Sequence, residues 1–324
     1  MSVIFPETVT DLDGQTFNVG ELASRHVLIF ITLKATWCPV CPQLLLILNL
    51  HGLQDNPPEE FRDPFDDSIM KVDPKILPFY RLLLKKDAYF IIMCPKRQNQ
   101  VRQIQKACNF TNLPYPFVVD EDLTLASSIN LRMSENEMWP CIGHIQPETR
   151  LIRPISSGRG PTFYGHNHLL TFLRDYRAQA EKKAVEYVIK ANELVPLLKN
   201  LTERQQNQQE SQESQTQQKK LLPVELLSQI FEYLDSIEIS KTVMSICQHW
   251  RAIGLEVMMA RLRKEINGVS DSLVIYCISM ANEINEVEEI KINPDKKIAS
   301  VCDLNQRAER LCKMVEIVKH IVIK

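Results

Sequence analysis

Two cysteines, Cys38 and Cys41, stand one helical turn apart in the stretch KATWCPVCPQ. A thiolate at the first position is a nucleophile, and a second thiol at this spacing can resolve a mixed disulfide formed at the first. The same spacing also supplies half of a zinc site, which needs a second pair of ligands. The chain offers only His166 and His168, far downstream, so we favour redox chemistry and expect no metal and no cofactor.

The elements around this pair determine which cysteine reacts. The run VLIFITL, residues 27–33, is short, apolar and β-rich, which is typical of a strand buried on both faces, and LLLILNL after the cysteines is typical of a helix. Cys38 then lies at a helix N-terminus, where unpaired N–H groups favour the thiolate. We predict that Cys38 is the nucleophile with the lower pKa, that Cys41 resolves, and that Trp37 shields one side of the sulfur.

The rest of the N-terminal half repeats this pattern. AYFIIMC (88–94) and FVVD (117–120) are predicted strands, CIGHIQPETRLIRPIS is a predicted hairpin, and helical segments lie between them. This alternation predicts an α/β fold with a central mixed sheet covered by helices. One long helix follows, from about His166 to Thr202, and then RQQNQQESQESQTQQKK, which has no apolar residue to bury and predicts a flexible tether.

The stretch KATWCPVCPQ, with FPETVTDLDGQTFNVGEL ahead of it, resembles the thioredoxin superfamily, above all its thioredoxin-like and peroxiredoxin-like branch. The resemblance implies a thioredoxin-like fold and a redox-active dithiol. It also implies that MWPCIGHI carries the proline that faces the cysteines in this family, with a cis peptide bond between Trp139 and Pro140. The catalytic site would then contain Cys38, Cys41, Trp37 and Pro140.

Two departures from the family pattern bear on the chemistry. Thioredoxins carry a buried acidic residue six positions before the first cysteine, where this chain has Thr32. Peroxiredoxins place a threonine three positions before their reactive cysteine, where this chain has Ala35. We therefore rank dithiol exchange above peroxide reduction. Cys141, directly after the proline, is either a third redox thiol or an inert strand residue, and we favour the second.

A different pattern begins at LLPVELLSQIFEYLD and continues in ISKTVMSICQHWRAI, where apolar residues recur at helical spacing. Two amphipathic helices that bury each other would give this pattern. The order of residues also resembles the F-box, over about residues 220–264, with Ile239 where the family usually has leucine. The residues that match its core are Val243, Cys247 and Trp250. The residues that match its adaptor-facing pattern are Leu222, Pro223, Leu226, Ile230 and Leu234.

The F-box resemblance implies binding to the Skp-type adaptor of a cullin-RING ubiquitin ligase. We thus predict a thioredoxin-like domain (1–178), a helix and Gln-rich linker (179–220), an F-box (221–264) and a C-terminal helical segment (265–324). Three functions follow: a ubiquitin-ligase substrate receptor whose dithiol captures or reduces target disulfides, a thiol-disulfide oxidoreductase whose turnover or location is set by the F-box, and a redox-inactive binding scaffold.

Composition excludes several other classes. The net charge is −2, so there is no basic surplus to hold nucleic acid. No apolar run approaches the roughly 18 residues of a membrane span, and the N-terminus lacks the pattern of a secretion signal. The nine cysteines are scattered, which is typical of reduced thiols. We expect a cytoplasmic protein, with a nuclear location left open, whose substrate is a protein or a protein disulfide.

Overall fold

The structure is a computed structural model that describes residues 3–36, 38–95, 97–158, 164–213, 224–243, 248–285 and 300–323. The chain forms two compact units. The first contains residues 1–178 and 277–302, and the second contains residues 179–276 and 303–324.

A mixed five-stranded sheet is the centre of the first unit. Its strands are ordered β7-β6-β3-β8-β9, with β3, β6 and β7 parallel and β8 and β9 antiparallel to their neighbours. Two short hairpins, β1-β2 and β4-β5, stand apart from it. The strands are β1 Thr8–Thr10, β2 Thr16–Asn18, β3 Val27–Thr32, β4 Glu60–Arg62, β5 Ile69–Lys71, β6 Ala88–Cys94, β7 Phe117–Val119, β8 Cys141–Ile145 and β9 Ile152–Ser157.

Helices lie between these strands in chain order. Two of them continue into π-helical segments, Leu82–Asp87 after α3 and Asn49–Leu53 after α2, and the second is interrupted at Gly52, whose φ of 90° is not helical. The helices that start in this unit are α1 Val19–Arg25, α2 Val40–Leu48, α3 Leu77–Arg81, α4 Gln98–Ala107, α5 Thr124–Ser128 and α6 His166–Glu213. The prediction of a central mixed sheet covered by helices is confirmed for this half of the chain.

Strand β3 shows why the apolar runs gave the correct strands. All six of its residues are buried, because it lies at the centre of the sheet between β6 and β8 with helices over both faces. The N-terminal hairpin is closed at Asp11, whose Oδ1 accepts hydrogen bonds from the N–H groups of Asp13 and Gln15. The hairpin β4-β5 was not predicted, since its two strands have only three residues each.

The C-terminal end of α2 is anchored by a buried histidine. His51 Nδ1 lies 2.8 Å from the carbonyl oxygen of Ile47, and its ring packs against Tyr80 and against His166 at the start of α6. Burial lowers the pKa of both imidazoles, that of His166 to about 4, so both rings are neutral at pH 7. The helix that carries Cys41 is thus fixed at the end away from the cysteine.

The second unit is helical. It contains α6 from residue 179 onward, then α7 Val224–Tyr233, α8 Ser236–Glu238, α9 Gln248–Asn285 up to residue 276, and α10 Val301–Ile323 from residue 303. Asp235 caps α8 in a capping box with Glu238, and α10 buries Leu311, Val315 and Val318. The helical character predicted for the C-terminal half is confirmed.

The prediction of a flexible tether is wrong for residues 204–213, whereas the predicted domain boundaries stay predictions. Residues 204–213 of the predicted tether belong to α6, because Gln and Glu are good helix formers and continue a helix already started; residues 214–220 lie outside the described residues. The predicted boundary at residue 264 falls inside α9, where Met258, Leu262 and Val269 remain buried at helical spacing and sustain the helix. The break predicted at INPDKK also lies outside the described residues.

Among the described helices, none combines the length and the apolar character that crossing a lipid bilayer requires.

Candidate active site

The two cysteines lie where β3 gives way to α2. Strand β3 ends at Thr32, and a short turn is closed by a hydrogen bond of 3.1 Å from the N–H of Cys38 to the carbonyl oxygen of Ala35. Pro39 is the N-cap of α2, so its missing N–H costs no helical hydrogen bond. Cys38 therefore precedes the first helical residue by two positions, as the sequence predicts.

The Cys38 sulfur faces several hydrogen-bond donors. They are the Cys41 S–H and the backbone N–H groups of Cys41 and Val40, and Lys34 adds a positive charge. Burial opposes them, since only 8% of Cys38 is exposed. The donors prevail, the Cys41 thiol most of all, and the pKa of Cys38 falls to about 6. Cys38 is thus mostly a thiolate at pH 7.

Cys41 has the opposite character. Its pKa is raised because its S–H donates to Cys38, because it is buried, and because the Cys38 thiolate is a nearby like charge. The N–H of Lys34, 3.0 Å from its sulfur, acts against this but does not outweigh it. The hydrogen bond to Cys38 and the repulsion by its charge both require a free Cys38 thiolate, so they disappear when Cys38 enters a mixed disulfide, and only burial still raises the pKa of Cys41. Cys41 would then lose its proton more readily, as a resolving thiol requires.

Thr32 has a structural role at the position where thioredoxins carry an acid. Its hydroxyl accepts a hydrogen bond of 2.8 Å from the N–H of Cys141 and donates to the carbonyl oxygen of Trp139. These bonds lie on either side of Pro140 and hold it beside the end of β3 from which the cysteine loop departs. Because its hydroxyl is hydrogen-bonded to backbone and it has no carboxylate, Thr32 cannot accept the Cys41 proton.

The predicted cis bond at Pro140 is wrong. Every peptide bond in the described ranges is trans, including the one between Trp139 and Pro140. The Thr32 hydroxyl holds the carbonyl before Pro140 and the N–H after it, and this bridge is made with the trans bond that X-Pro peptides ordinarily prefer. Pro140 is half-buried at the predicted place in the fold, and Trp139 beside it is also half-buried. Trp37 lies outside the described residues.

An ion pair that the sequence did not reveal lies next to the dithiol. Lys34 Nζ is 3.4 Å from Glu137 Oε1, with about a fifth of each side chain exposed. The backbone joins the same two segments, because the N–H of Met138 donates to the carbonyl oxygen of Lys34 at 3.1 Å. A lysine four positions before Cys38 is visible in the sequence, but nothing in the spacing pairs it with Glu137.

The three other cysteines among residues 1–178 have no features of a reactive thiol. Cys141, Cys94 and Cys108 are buried, and burial raises the pKa of each, to about 11 for Cys141 and about 12 for Cys108. The interpretation of Cys141 as an inert strand residue fits this environment. No group of three or more His, Cys, Asp or Glu side chains in the described part of the chain is arranged to hold a metal ion.

The residues matched to the F-box lie in the second unit. Leu226 and Ile230 belong to α7, although their side chains are outside the described set, and Leu234 is half-buried just after that helix. Leu222, Pro223 and Cys247 also lie outside the described residues. Of the residues matched to the core, Val243 is buried and Trp250 is half-buried.

Aromatic packing and capping define this small helical core. The ring of Trp250 lies 5.6 Å from that of the fully buried Phe231, and Leu227 and Ile239 are also fully buried. Arg261 donates to the carbonyl oxygens of Phe231 and Glu232 at the end of α7 and so supplies partners to its last turn. Helix α7 is therefore fixed against α9.

Comparison with known proteins gives similarities of fold only. No protein-family model and no curated protein matches the chain. Solved structures that resemble it include peroxidoxin BcpB from Mycobacterium tuberculosis, at 13% identity and a TM-score of 0.37, covering 54% of this chain and 96% of that one. Peroxiredoxin Q from Xanthomonas campestris has 12% identity and a TM-score of 0.37, covering 53% and 96%. Mycobacterium tuberculosis AhpC has 13% identity and a TM-score of 0.38, covering 54% and 90%. At these values the similarities carry no conclusion about activity.

Proposed function

We propose that the chain is a thiol-disulfide oxidoreductase that works through Cys38 and Cys41. The observation that carries the proposal is the asymmetry of the pair: the first thiol has a pKa of about 6, while the second has a raised pKa and donates its proton to the first. A nucleophile that is charged at pH 7 beside a thiol held in reserve is the arrangement that disulfide exchange requires.

The reaction has two steps. In the first, the Cys38 thiolate attacks one sulfur of a substrate disulfide, a Cys38-substrate S–S bond forms, and the other substrate sulfur leaves as a thiolate. In the second, Cys41 loses its proton and attacks the Cys38 sulfur, which forms the Cys38–Cys41 disulfide and releases the second substrate thiolate. The protein loses two electrons and the substrate gains them. A thiol reductant returns the protein to the dithiol state.

Equilibration in thiol-disulfide buffers of graded ratio tests this proposal. Cys38 and Cys41 should lose reactivity toward an alkylating reagent together, in one reversible transition, because each oxidation joins both sulfurs. Cys141 in the same samples serves as the internal control, since its burial gives it no partner role in the exchange. Separate transitions for the two cysteines, or no transition, would refute the dithiol mechanism.

A second proposed function, that of an F-box substrate receptor, is favoured by a separate observation. The stretch that resembles the start of the F-box forms a helix, α7, and Phe231 of this helix packs against Trp250, which supports the proposal. In this proposal the face of α7 that carries Leu226 and Ile230 binds the Skp-type adaptor in a helix-in-groove mode, while the dithiol captures or reduces the target. Adaptor binding and the dithiol chemistry are compatible in one chain.

Adaptor binding by purified full-length chain tests the second proposal. Replacing Leu226 and Ile230 together by aspartate should weaken binding at least tenfold, because two apolar anchors of a groove are typically worth more than about 1.4 kcal/mol together. Glu232→Ala, at an exposed position of the same helix, is the matched control and should bind as the wild type does. No binding by the wild type, or equal binding by the two variants, would contradict the receptor function.

A further inference from the structure

The dithiol is accompanied by a charged pair that neither the sequence pattern nor the two-thiol chemistry accounts for. Lys34 belongs to the turn after β3, and Glu137 belongs to the segment that leads into β8. The two side chains meet at 3.4 Å. Lysine and glutamate rarely lie this far from solvent unless they are paired, so their placement beside a reactive thiol needs a reason.

The backbone fixes both members of the pair. The N–H of Lys34 donates to the Cys41 sulfur, and its carbonyl oxygen accepts from Met138. Glu137 is held in a tight loop. Its carbonyl oxygen accepts a hydrogen bond from the N–H of Met133, and the backbones of Arg132 and Met138 form an isolated antiparallel β-bridge. The backbone of Lys34 is thus attached to Cys41, and Glu137 meets the ammonium group of the Lys34 side chain.

We propose that Lys34 is a positioning residue for the Cys38 thiolate, that its ammonium group stabilises the negative charge on this sulfur, and that Glu137 limits this stabilisation by neutralising part of the ammonium charge. This inference rests on the proposed thiol-disulfide function, whose nucleophile it regulates. Lys34 and Glu137 shift the pH range in which the nucleophile is charged, beside the larger effect of the Cys41 thiol.

Charge and burial support this assignment. The pKa of Cys38 is lowered most by the Cys41 thiol, then by two backbone N–H groups, and least by Lys34, which is the charged group among these causes. The backbone donors are fixed by the helix and cannot be regulated. The effect of Lys34 can be regulated. Less than a quarter of its side chain is exposed, so solvent screens its charge only weakly. Among the described residues, the printed contacts bring Cys41 from α2, Lys34 from the turn and Glu137 from the loop before β8 together at this corner.

The test is the pH dependence of Cys38 alkylation in the full chain, followed by mass spectrometry of the Cys38 peptide. Lys34→Gln should raise the pKa of Cys38 by about half a unit to one unit, as expected for the loss of one nearby opposite charge. The alkylation rate should then fall about two- to fivefold at pH 6 and remain unchanged at pH 9, where the thiolate is fully formed in both proteins. Lys34→Arg, which keeps the charge, should restore the wild-type profile.

Glu137→Gln should change the pKa of Cys38 in the direction opposite to Lys34→Gln. Removing the carboxylate leaves the Lys34 ammonium group uncompensated, so the pKa of Cys38 should fall. Lys85→Gln is the matched control. Lys85 is paired with Asp55 and precedes β6, at the end of the parallel strands opposite to the cysteines, so its loss should leave the profile unchanged.

Equal profiles for Lys34→Gln and the wild type, equal effects of Lys34→Gln and Lys34→Arg, or a higher pKa in Glu137→Gln would overturn the inference. The measurement needs no substrate and no turnover. A chain that shows the predicted profiles but exchanges no disulfide would therefore refute the proposed function while leaving the role of Lys34 intact.

Discussion

A Cys41→Ser variant is expected to retain its protein substrates as mixed disulfides through Cys38. The variant keeps the nucleophile but lacks the thiol that releases the substrate, so the reaction stops after its first step. A hydroxyl at position 41 can still donate a hydrogen bond to the Cys38 sulfur, which preserves part of the stabilisation that the Cys41 thiol provides. Covalent partners should accumulate from undetectable in the wild type to a large fraction of the variant.

Non-reducing electrophoresis of the tagged full-length chain after rapid acid quenching measures this effect, and the adducts should disappear with added reductant. Cys38→Ser/Cys41→Ser is the control that removes the nucleophile. Cys108→Ser, at a buried thiol with a raised pKa, controls for the loss of any cysteine. Adducts that persist without Cys38 would mean that another thiol attacks the substrates, and the proposed roles of the pair would be wrong.

Gly143→Ala is expected to destabilise the first unit by about 2 to 3 kcal/mol, in the upper part of the range of about 1 to 3 kcal/mol that is usual for added volume in a packed core. Gly143 lies in β8 opposite Phe30 of β3. A Cβ at this position would stand 2.3 Å from Phe30 Cε1, far inside van der Waals contact. The Phe30 ring is fully buried and packs against Phe5, so it cannot move aside without displacing its neighbours.

Chemical denaturation monitored by circular dichroism gives the change in the free energy of unfolding. The double variant Phe30→Leu/Gly143→Ala should be less destabilised than the sum of the two single variants by at least about 1 kcal/mol, because the smaller side chain vacates the space. Gly20→Ala is the control in a helix, where the added Cβ meets only the side chain of Asn18, and it should change stability by less than about 1 kcal/mol. Additive effects at Phe30 and Gly143 would show that the two positions do not compete for space.

The sequence predicted the sheet and the dithiol because both depend on local signals. Short apolar runs such as residues 27–33 and 88–94 are buried on both faces, so their composition alone indicates strands. Cys38 and Cys41 are close along the chain, so the Cys41 thiol, which lowers the pKa of Cys38 most, and the backbone N–H groups at the start of the helix act on the same sulfur. The direction of the pKa shift at Cys38 followed from that position.

What the sequence could not predict depends on contacts between distant segments. Lys34 and Glu137 meet only because β8 pairs with β3, and no pattern along the chain joins them. In the sequence, Thr32 is notable only because it stands where thioredoxins carry an acidic residue. In the structure its hydroxyl binds the backbone on both sides of Pro140, and the peptide bond before Pro140 is trans. The Gln-rich segment has no apolar residue to bury. Residues 204–213 are nevertheless helical, because they extend α6, which has already started in the preceding turns.

The most direct measurement of the central claim is a single-turnover reaction between fully reduced chain and a protein disulfide, with no other reductant present. Acid quenching, alkylation and mass spectrometry then count the thiols gained by the substrate and lost by the chain. The mechanism predicts one substrate disulfide reduced for each Cys38–Cys41 disulfide formed, and no reaction with Cys38→Ser. Substrate reduction without a Cys38–Cys41 disulfide, or an unchanged substrate in the presence of the wild type, would contradict it.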